Sequence, residues 1–254
     1  MQSKISRYKY NKGTDVIMSE EIKIVYDNIA TEPYESGWGF AAYLDLEEKI
    51  LFDTGYDGRI LLNNIGLMDI DLAQVEKIFL SHPHWDHYGG LTAALEETKN
   101  PEVYLPASFS SNLRKEISEE AQVKVIPRHQ EVDIEKNEQD KRKLLRVSKN
   151  TFSTGELGKV GEQALVIEHG GVKYMITGCG HPGLDQLIKV AEEIDNKKLT
   201  GVIGGFHDFS KIKALNELET IVPCHCTQRK QEIRKLYPSK TEECKVGTKI
   251  SLKK

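Results

Sequence analysis

The feature that most constrains this chain is the run His82-Pro83-His84-Trp85-Asp86-His87, which holds three histidines and an aspartate. The whole sequence has only eight histidines, and random scatter rarely places three of them within six residues. Imidazole and carboxylate groups are the ligands that Zn²⁺ and related divalent cations take in proteins. The run ends a predicted buried strand, 75–82, and an irregular loop after a strand can turn several side chains toward one point. It therefore predicts a metal site in preference to a solvated histidine-rich loop.

Side-chain parity gives a first grouping of these ligands. In an extended stretch, His82, His84 and Asp86 point to one side and His87 points to the other. A bend in the loop would then carry His87 to a second cation about 3.5–4 Å away, the spacing of two-metal hydrolytic sites. We expect two divalent cations, with zinc favoured and manganese or iron as alternatives, because His and Asp ligands accept all three.

Composition argues against several other classes of protein. The net charge of the 254 residues is -4, and neither sign is concentrated, so we expect a small-molecule substrate and no nucleic-acid partner. Apolar runs such as 78–80 fall far short of the roughly 20 residues that a membrane span requires. No apolar segment typical of a secretory signal follows the basic N-terminus, so we predict a cytoplasmic protein. The oligomeric state stays open.

Strands and helices alternate along the chain, which predicts an α/β fold, and interspersed hairpins predict mixed sheets. Residues 1–20 are expected to be a polar extension, with Met18 as an alternative start, and 21–254 a single domain. The predicted strands cover 21–27, 40–46, 49–55, 75–82, 122–126, 201–205, 220–224 and a hairpin around Gly170-Gly171. The predicted helices cover a stretch from Arg59 and the segments 91–98, 110–120, 184–194, 211–217 and 227–236.

The four cysteines are Cys179, Cys224, Cys226 and Cys244, and two of them flank a histidine. This arrangement suits thiols near a metal better than a disulfide framework. The alternative interpretation is that they are reduced and mostly buried, since free cysteine often serves as a small apolar residue.

The signature H-x-H-x-D-H is carried by His82, His84, Asp86 and His87. Together with Asp53-Thr54-Gly55 upstream and Gly89-Gly90-Leu91 downstream, it makes the sequence similar to the metallo-β-lactamase superfamily over roughly residues 21–252. The resemblance implies a four-layer αβ/βα sandwich of two mixed β-sheets, with the metals at one edge of both sheets.

The resemblance also implies ligands later in the chain. One loop ends a strand, as metal-site loops of the superfamily do, and has the sequence Thr177-Gly178-Cys179-Gly180-His181. The resemblance therefore implies that His181 is a ligand. His225, within 222–226, is the expected final ligand. Many members place a bridging aspartate where Cys179 stands here, so that thiol either bridges the metals as a thiolate or packs. Asp53 is expected to orient a ligand histidine.

His207 follows the predicted strand 201–205, which would end near the same edge. Two interpretations stay open for it. Histidine's near-neutral pKa suits a substrate contact or proton donor, and the alternative is a structural histidine.

The segments G-C-G-H-P-G, G-G-F-H and P-C-H-C-T resemble a narrower subgroup, named for dihydropterin ribofuranosylaminobenzene phosphate synthase, a pterin-condensing enzyme. The expected function is a metal-dependent hydrolase acting on a small anionic substrate of the phosphoester or pyrophosphate type. Two cations would lower the pKa of a bound water to about 7, giving hydroxide. Asp86 would ligate a metal and orient the water, and His207 would assist protonation. The alternatives are a pterin-pyrophosphate condensing transferase and a non-catalytic metal-binding or diiron redox protein.

Overall fold

The structure is a computed structural model that describes residues 20–130 and 142–252. The expected N-terminal extension, 1–20, lies outside the described residues except for Glu20, and so does the alternative start at Met18. Within the described ranges, no helix combines the length and the hydrophobicity needed to cross a membrane.

The first sheet has seven strands in the order β12-β1-β2-β3-β4-β5-β6. Pairing is antiparallel from β12 to β3 and parallel from β3 to β6, so the sheet is mixed. The strands are β1 Glu21–Tyr26, β2 Ala41–Asp45, β3 Ile50–Phe52, β4 Lys77–Phe79, β5 Glu102–Pro106, β6 Gln122–Ile126 and β12 Lys249–Ser251.

The second sheet has five strands in the order β11-β10-β9-β8-β7. Its β9, β10 and β11 are parallel, whereas β7, β8 and β9 pair antiparallel. The strands are β7 Thr151–Ser153, β8 Leu165–His169, β9 Val172–Thr177, β10 Gly201–Gly205 and β11 Thr220–Cys224.

Helices cover the outer faces of the two sheets. The first, α1, begins at Asp57, whose side chain accepts hydrogen bonds from the backbone amides of Arg59 and Ile60. The described α-helices are α1 Gly58–Leu67, α2 Trp85–Tyr88, α3 Leu91–Glu97, α4 Ser111–Ile117, α5 Leu184–Glu193 and α6 Lys230–Leu236, with 3-10 helices at Leu72–Gln74 and Ile212–Leu215.

Three apolar clusters join these layers. Side chains from the inner faces of both sheets, including Phe52 and Ile176, form the central core. A second cluster packs α1, α3 and α4 on the first sheet, and a third packs α5 on the second sheet. The order helix, sheet, sheet, helix confirms the predicted four-layer α/β sandwich.

Most predicted elements are present, and the differences have local causes. The three short strands β5, β7 and β12 were not predicted. The predicted helix 211–217 is a 3-10 helix at Ile212–Leu215. The predicted helix 227–236 begins only at Lys230, because the Thr227 hydroxyl is bound to the carbonyl of Cys224 in a preceding turn.

The predicted extended run 82–87 is also wrong in part. Backbone φ and ψ of His84 are extended, at -95° and 137°, but the helical turn α2 begins at the next residue. The residues that follow β3, β4, β9, β10 and β11 meet at one edge, where the carboxyl ends of parallel strands place ligand sites in α/β sheets.

Candidate metal centre

A first group of possible ligands joins the loop after β4 to the loop after β9. It consists of His82, His84 and His181, whose candidate donor atoms all lie within 4.8 Å of one another. The ring centroids of His82 and His181 are 4.7 Å apart, and those of His84 and His181 are 4.8 Å apart. Burial lowers the pKa of His82 well below its usual range, so this imidazole is neutral, as a metal ligand must be.

A second group lies beside the first and consists of Asp86, His87 and His225. Nε2 of His225 is 3.2 Å from Oδ2 of Asp86. Burial lowers the pKa of His87 to about 3, so it is also neutral.

These groups correct the predicted grouping of ligands. Parity placed Asp86 with His82 and His84 and left His87 alone, whereas the structure places Asp86 and His87 together. The reason is α2, since neighbouring residues in a helix are about 100° apart and not on opposite sides.

Cys179 lies between the two groups. Its Sγ is 3.2 Å from Nε2 of His87, and it forms a further cluster with His82 and His87. The sulfur of Cys226 is 3.2 Å from that of Cys179, and both are free thiols. The position fits the bridging role that the resemblance implies for Cys179; the contact with Cys226 was not predicted.

Hydrogen bonds fix which nitrogen of each ring faces the centre. The Ser81 hydroxyl donates to Asp53 at 2.6 Å, so its oxygen accepts from Nδ1 of His82 at 2.9 Å. Nδ1 of His87 donates to Oδ2 of Asp53 at 2.7 Å. In both rings Nδ1 therefore carries the proton and Nε2 has a free lone pair. The expected role of Asp53, orienting a ligand histidine, matches this contact.

Glu162, which the sequence analysis did not identify, does the same for His181. Its fully buried carboxylate accepts from Nδ1 of His181 at 2.9 Å and from the backbone amides of Cys179, Gly180 and His181. Burial alone would raise the pKa of Glu162, but the hydrogen bonds from His181 and from the backbone amide of Gly180 hold it well below its usual range. Its charge in turn raises the pKa of His181, against the effect of burial.

His225 is oriented by the segment after β1. Its Nδ1 donates to Oδ1 of Asn28 at 2.9 Å, and its backbone amide donates to the buried carboxyl of Asp27 at 2.6 Å. The amide of Gly39 also donates to Asn28 Oδ1, which identifies that atom as the oxygen. Nε2 of His225 is therefore unprotonated as well.

The unpaired nitrogens fit a metal. Among the described residues, Nε2 of His82 and Nε2 of His225 are buried and have no hydrogen-bond partner. Buried polar atoms without a partner are costly, and cations held by the two groups of ligands would satisfy them. His82, His84, Asp86, His87, His181 and His225 are thus brought together in a donor set suited to two divalent cations.

The backbone is strained at this edge. Asp53, His207 and His225 have positive φ values of 51°, 41° and 36°, a region that residues with a side chain rarely adopt. Such strain persists where the surrounding structure holds it, and it clusters at functional sites. Asp53 and His225 directly follow β3 and β11, and His207 is the second residue after β10, so all three lie at the carboxyl ends of strands.

His207 lies beside the first group. Its ring centroid is 5.1 Å from that of His181, and its Nδ1 is buried with no hydrogen-bond partner among the residues described. The ring lies next to a candidate ligand, and the role of proton donor stays a prediction.

The interpretation of all four cysteines as thiols is wrong for two of them. Cys224 and Cys244 are joined by a disulfide, which ties β11 to the segment before β12. Both are buried, and Cys244 contacts Asp27, the residue that holds the backbone of His225. The pairing was missed because the two cysteines are 20 residues apart in sequence and no local pattern connects them.

One exposed aromatic side chain lies against a candidate ligand, and two others contact each other. Trp38 is 61% exposed although its ring centroid lies 5.0 Å from that of His225. Tyr56 and Trp85, which are 53% and 54% exposed, contact each other edge to face. Large apolar rings left in water beside a polar centre provide a surface for a planar group.

Comparison with known proteins agrees with this geometry. The family model of the metallo-β-lactamase superfamily matches residues 43–188, more than half of the chain. A relative from Methanocaldococcus jannaschii, 7,8-dihydropterin-6-methyl-4-(β-D-ribofuranosyl)-aminobenzene-5'-phosphate synthase, is 27% identical over 79% of this chain and 84% of its own.

Solved structures share the architecture. Tm1679, described as a metal-dependent hydrolase of the β-lactamase superfamily, is 26% identical, covers 92% of this chain and 100% of its own, and has a TM-score of 0.72. The short form of human tRNase Z covers the same shares at 16% identity with a TM-score of 0.61, a likeness of fold alone.

Proposed function

The chain belongs to the metallo-β-lactamase superfamily, and we propose that it is a metal-dependent hydrolase of a small anionic substrate of the phosphoester or pyrophosphate type. One observation carries the proposal. His82, His87, His181 and His225 each bind an outer partner through Nδ1, which leaves their four Nε2 atoms for metal at the shared edge.

The ligands would hold two cations, zinc by preference, with manganese or iron as alternatives. The first cation would take His82, His84 and His181, and the second would take Asp86, His87 and His225, with Cys179 between them. Two such cations supply an ionised water at neutral pH and neutralise an anionic substrate.

The protein's own groups have separate tasks. The carboxylate of Asp86 accepts a hydrogen bond from the attacking water and so orients it. The imidazole of His207, whose ring centroid lies 5.1 Å from that of His181, would donate a proton to the departing oxygen. Asp53 and Glu162 keep the ligand rings in the required tautomer.

The first experiment combines elemental analysis with an activity panel. Protein purified without chelator is expected to hold about two divalent cations per chain. The panel contains bis(p-nitrophenyl) phosphate, p-nitrophenyl phosphate, inorganic pyrophosphate, a lactone and a thioester. We expect hydrolysis of a phosphorus ester, and a loss of about 100-fold or more in His84→Ala.

His169→Ala is the matched control for that variant. His169 ends β8 and pairs with Glu20, at the opposite end of the hairpin from the metal centre. It should keep both the metal content and the activity of the wild type. Less than one cation per chain, or unchanged activity in His84→Ala, would contradict the proposal, and stoichiometric iron with a reversible colour change would favour a diiron redox protein instead.

A second candidate function is a condensing transferase that uses a pterin pyrophosphate. The exposed ring of Trp38, whose centroid lies 5.0 Å from that of His225, favours it, because stacking on an aromatic side chain suits a planar bicyclic group. In this reaction an amine or carbon nucleophile takes the place of water and pyrophosphate leaves.

The product distinguishes the two candidates. With a pterin pyrophosphate and an aminobenzene acceptor, the transferase releases pyrophosphate and forms a new bond only when the acceptor is present. The hydrolase releases its product at the same rate without the acceptor.

A further inference from the structure

Two free thiols meet above the carboxyl end of the second sheet. Cys179 follows β9 and Cys226 follows β11, and their sulfur atoms are 3.2 Å apart. Cys179 is buried, whereas Cys226 is half-buried and so within reach of a small solute. Neither belongs to the disulfide between Cys224 and Cys244.

The backbone makes room for this contact at the end of β10, the strand between β9 and β11. A Cβ atom on Gly205 would stand 2.7 Å from the sulfur of Cys226 and 3.1 Å from Cα of Cys179. It would also stand 2.5 Å from the carbonyl oxygen of Gly178. Only glycine at this position lets the two cysteine loops approach each other over the strand end.

We propose that Cys179 and Cys226 form a redox-sensitive dithiol that closes reversibly to a disulfide and thereby controls metal binding. A peroxide is the oxidant. Hydrogen peroxide first transfers one oxygen atom to the accessible Cys226, which becomes a sulfenic acid. The other oxygen atom leaves as water. The thiol of Cys179 then attacks that sulfur, the S–S bond forms and a second water leaves. Two thiols lose two electrons and two protons, and one peroxide is reduced to two waters.

Disulfide formation removes both sulfurs from the centre. Cys179 lies 3.2 Å from Nε2 of His87 and clusters with His82, and Cys226 clusters with Cys179 and His225. A thiolate is the form that binds metal, and a disulfide sulfur is not. Oxidation should therefore weaken metal binding, and a thiol reductant should restore it. The chemistry of the thiols does not depend on which substrate the protein hydrolyses.

Peptide mapping of the wild type tests the proposal directly. Zinc-loaded protein is treated with hydrogen peroxide, blocked with N-ethylmaleimide and digested with trypsin without reductant. Cys179 lies in peptide 174–189, Cys224 and Cys226 lie in 214–229, and Cys244 lies in 241–245. We expect oxidation to convert the two-peptide species 214–229 with 241–245 into a three-peptide species that includes 174–189. Dithiothreitol should reverse this, and a chromogenic chelator should report zinc release over the same peroxide range.

Two variants identify which cysteines form the link. Cys224→Ser/Cys244→Ser retains only the proposed pair among the four cysteines, and it should still link 174–189 to 214–229. Cys226→Ser should lose that link. Mapping in the wild type stands by itself if either variant fails to fold.

The proposal is overturned if peroxide produces sulfinic acid on Cys226 without the link, or if the link to 174–189 maps to Cys224. Complete formation of the link with no release of zinc overturns the control of metal binding. None of these readouts uses catalytic activity, so an inactive protein would contradict the proposed function and leave this test intact.

Discussion

Glu162→Gln is the substitution that best tests how the ligand loop is built. The wild-type carboxylate accepts from the backbone amides of Cys179 and Gly180 on Oε1, and from the amide and Nδ1 of His181 on Oε2. Glutamine has the same shape, but one of its two terminal atoms is an NH₂ group. In either orientation that group faces N–H donors that lose their acceptor.

The two orientations set the size of the effect. With NH₂ in place of Oε1, the amides of Cys179 and Gly180 are left without an acceptor. With NH₂ in place of Oε2, the amide of His181 is left unpaired and its ring must accept at Nδ1, which moves the proton to Nε2. An unsatisfied buried donor costs about 1–3 kcal/mol, so the free energy of unfolding should fall by about 2–4 kcal/mol. Loss of an outer partner of a ligand histidine should weaken metal binding about 10–100-fold.

The assay measures both quantities. Urea unfolding of the metal-free protein gives the change in stability, and competition with a chromogenic chelator gives zinc affinity. Glu156→Gln is the matched control, because Glu156 is also buried but accepts from the backbone of Ser108 and from Arg128. It should lose stability and keep zinc affinity. Wild-type zinc affinity in Glu162→Gln would refute the role given to this carboxylate.

Three further predictions follow from single contacts. Gly205→Ala forces a Cβ into the contact between the cysteine loops and should lower the free energy of unfolding, measured by urea, by about 1–3 kcal/mol. The control is Gly66→Ala. A Cβ on Gly66 would meet no atom within 4 Å, so this helix substitution should raise the same free energy by up to about 1 kcal/mol. Trp38→Ala should raise KM for a substrate with a planar ring about 5–150-fold, from about 1–3 kcal/mol of stacking, and leave metal content measured by elemental analysis unchanged. The pKa of His181 is raised in the metal-free protein, so protons compete with zinc for this ligand at a higher pH than they do for an ordinary histidine. Chelator competition should therefore show zinc affinity falling as the pH is lowered through and below 7.

The sequence was informative wherever a signal is local. Alternation of apolar and polar residues predicted β1 at 21–27, and the structure has Glu21–Tyr26. The short run at 82–87 predicted a metal site because its residue types are rare together. The parity of its side chains failed, since one helical turn at Trp85–Tyr88 replaces the extended chain. A four-residue helix has no periodic pattern from which it could be predicted.

The residues that hydrogen-bond or contact the candidate ligands were harder to predict, because they come from distant segments of the chain. Glu162 is one acidic residue among the 39 of the chain, and nothing around it in sequence signals five hydrogen bonds to residues 177–181. The contact of Cys179 with Cys226 likewise spans 47 residues and depends on the order of strands in the second sheet. Asp53 was predictable because it follows a strand adjacent to the one that ends at the histidine run.

The cysteines connect the chemistry of the centre to the fold that holds it. Cys224 and Cys226 stand on either side of His225, one tied to Cys244 and the other in contact with Cys179. The first pair holds the end of β11. Asp27, which contacts Cys244, also accepts a hydrogen bond from the backbone of His225. The second pair lies among the candidate ligands, and both of its thiols are free. In the proposed bridging position, Cys179 would give the centre a sensitivity to oxidants that an aspartate in the same place would lack, because a carboxylate does not undergo thiol oxidation.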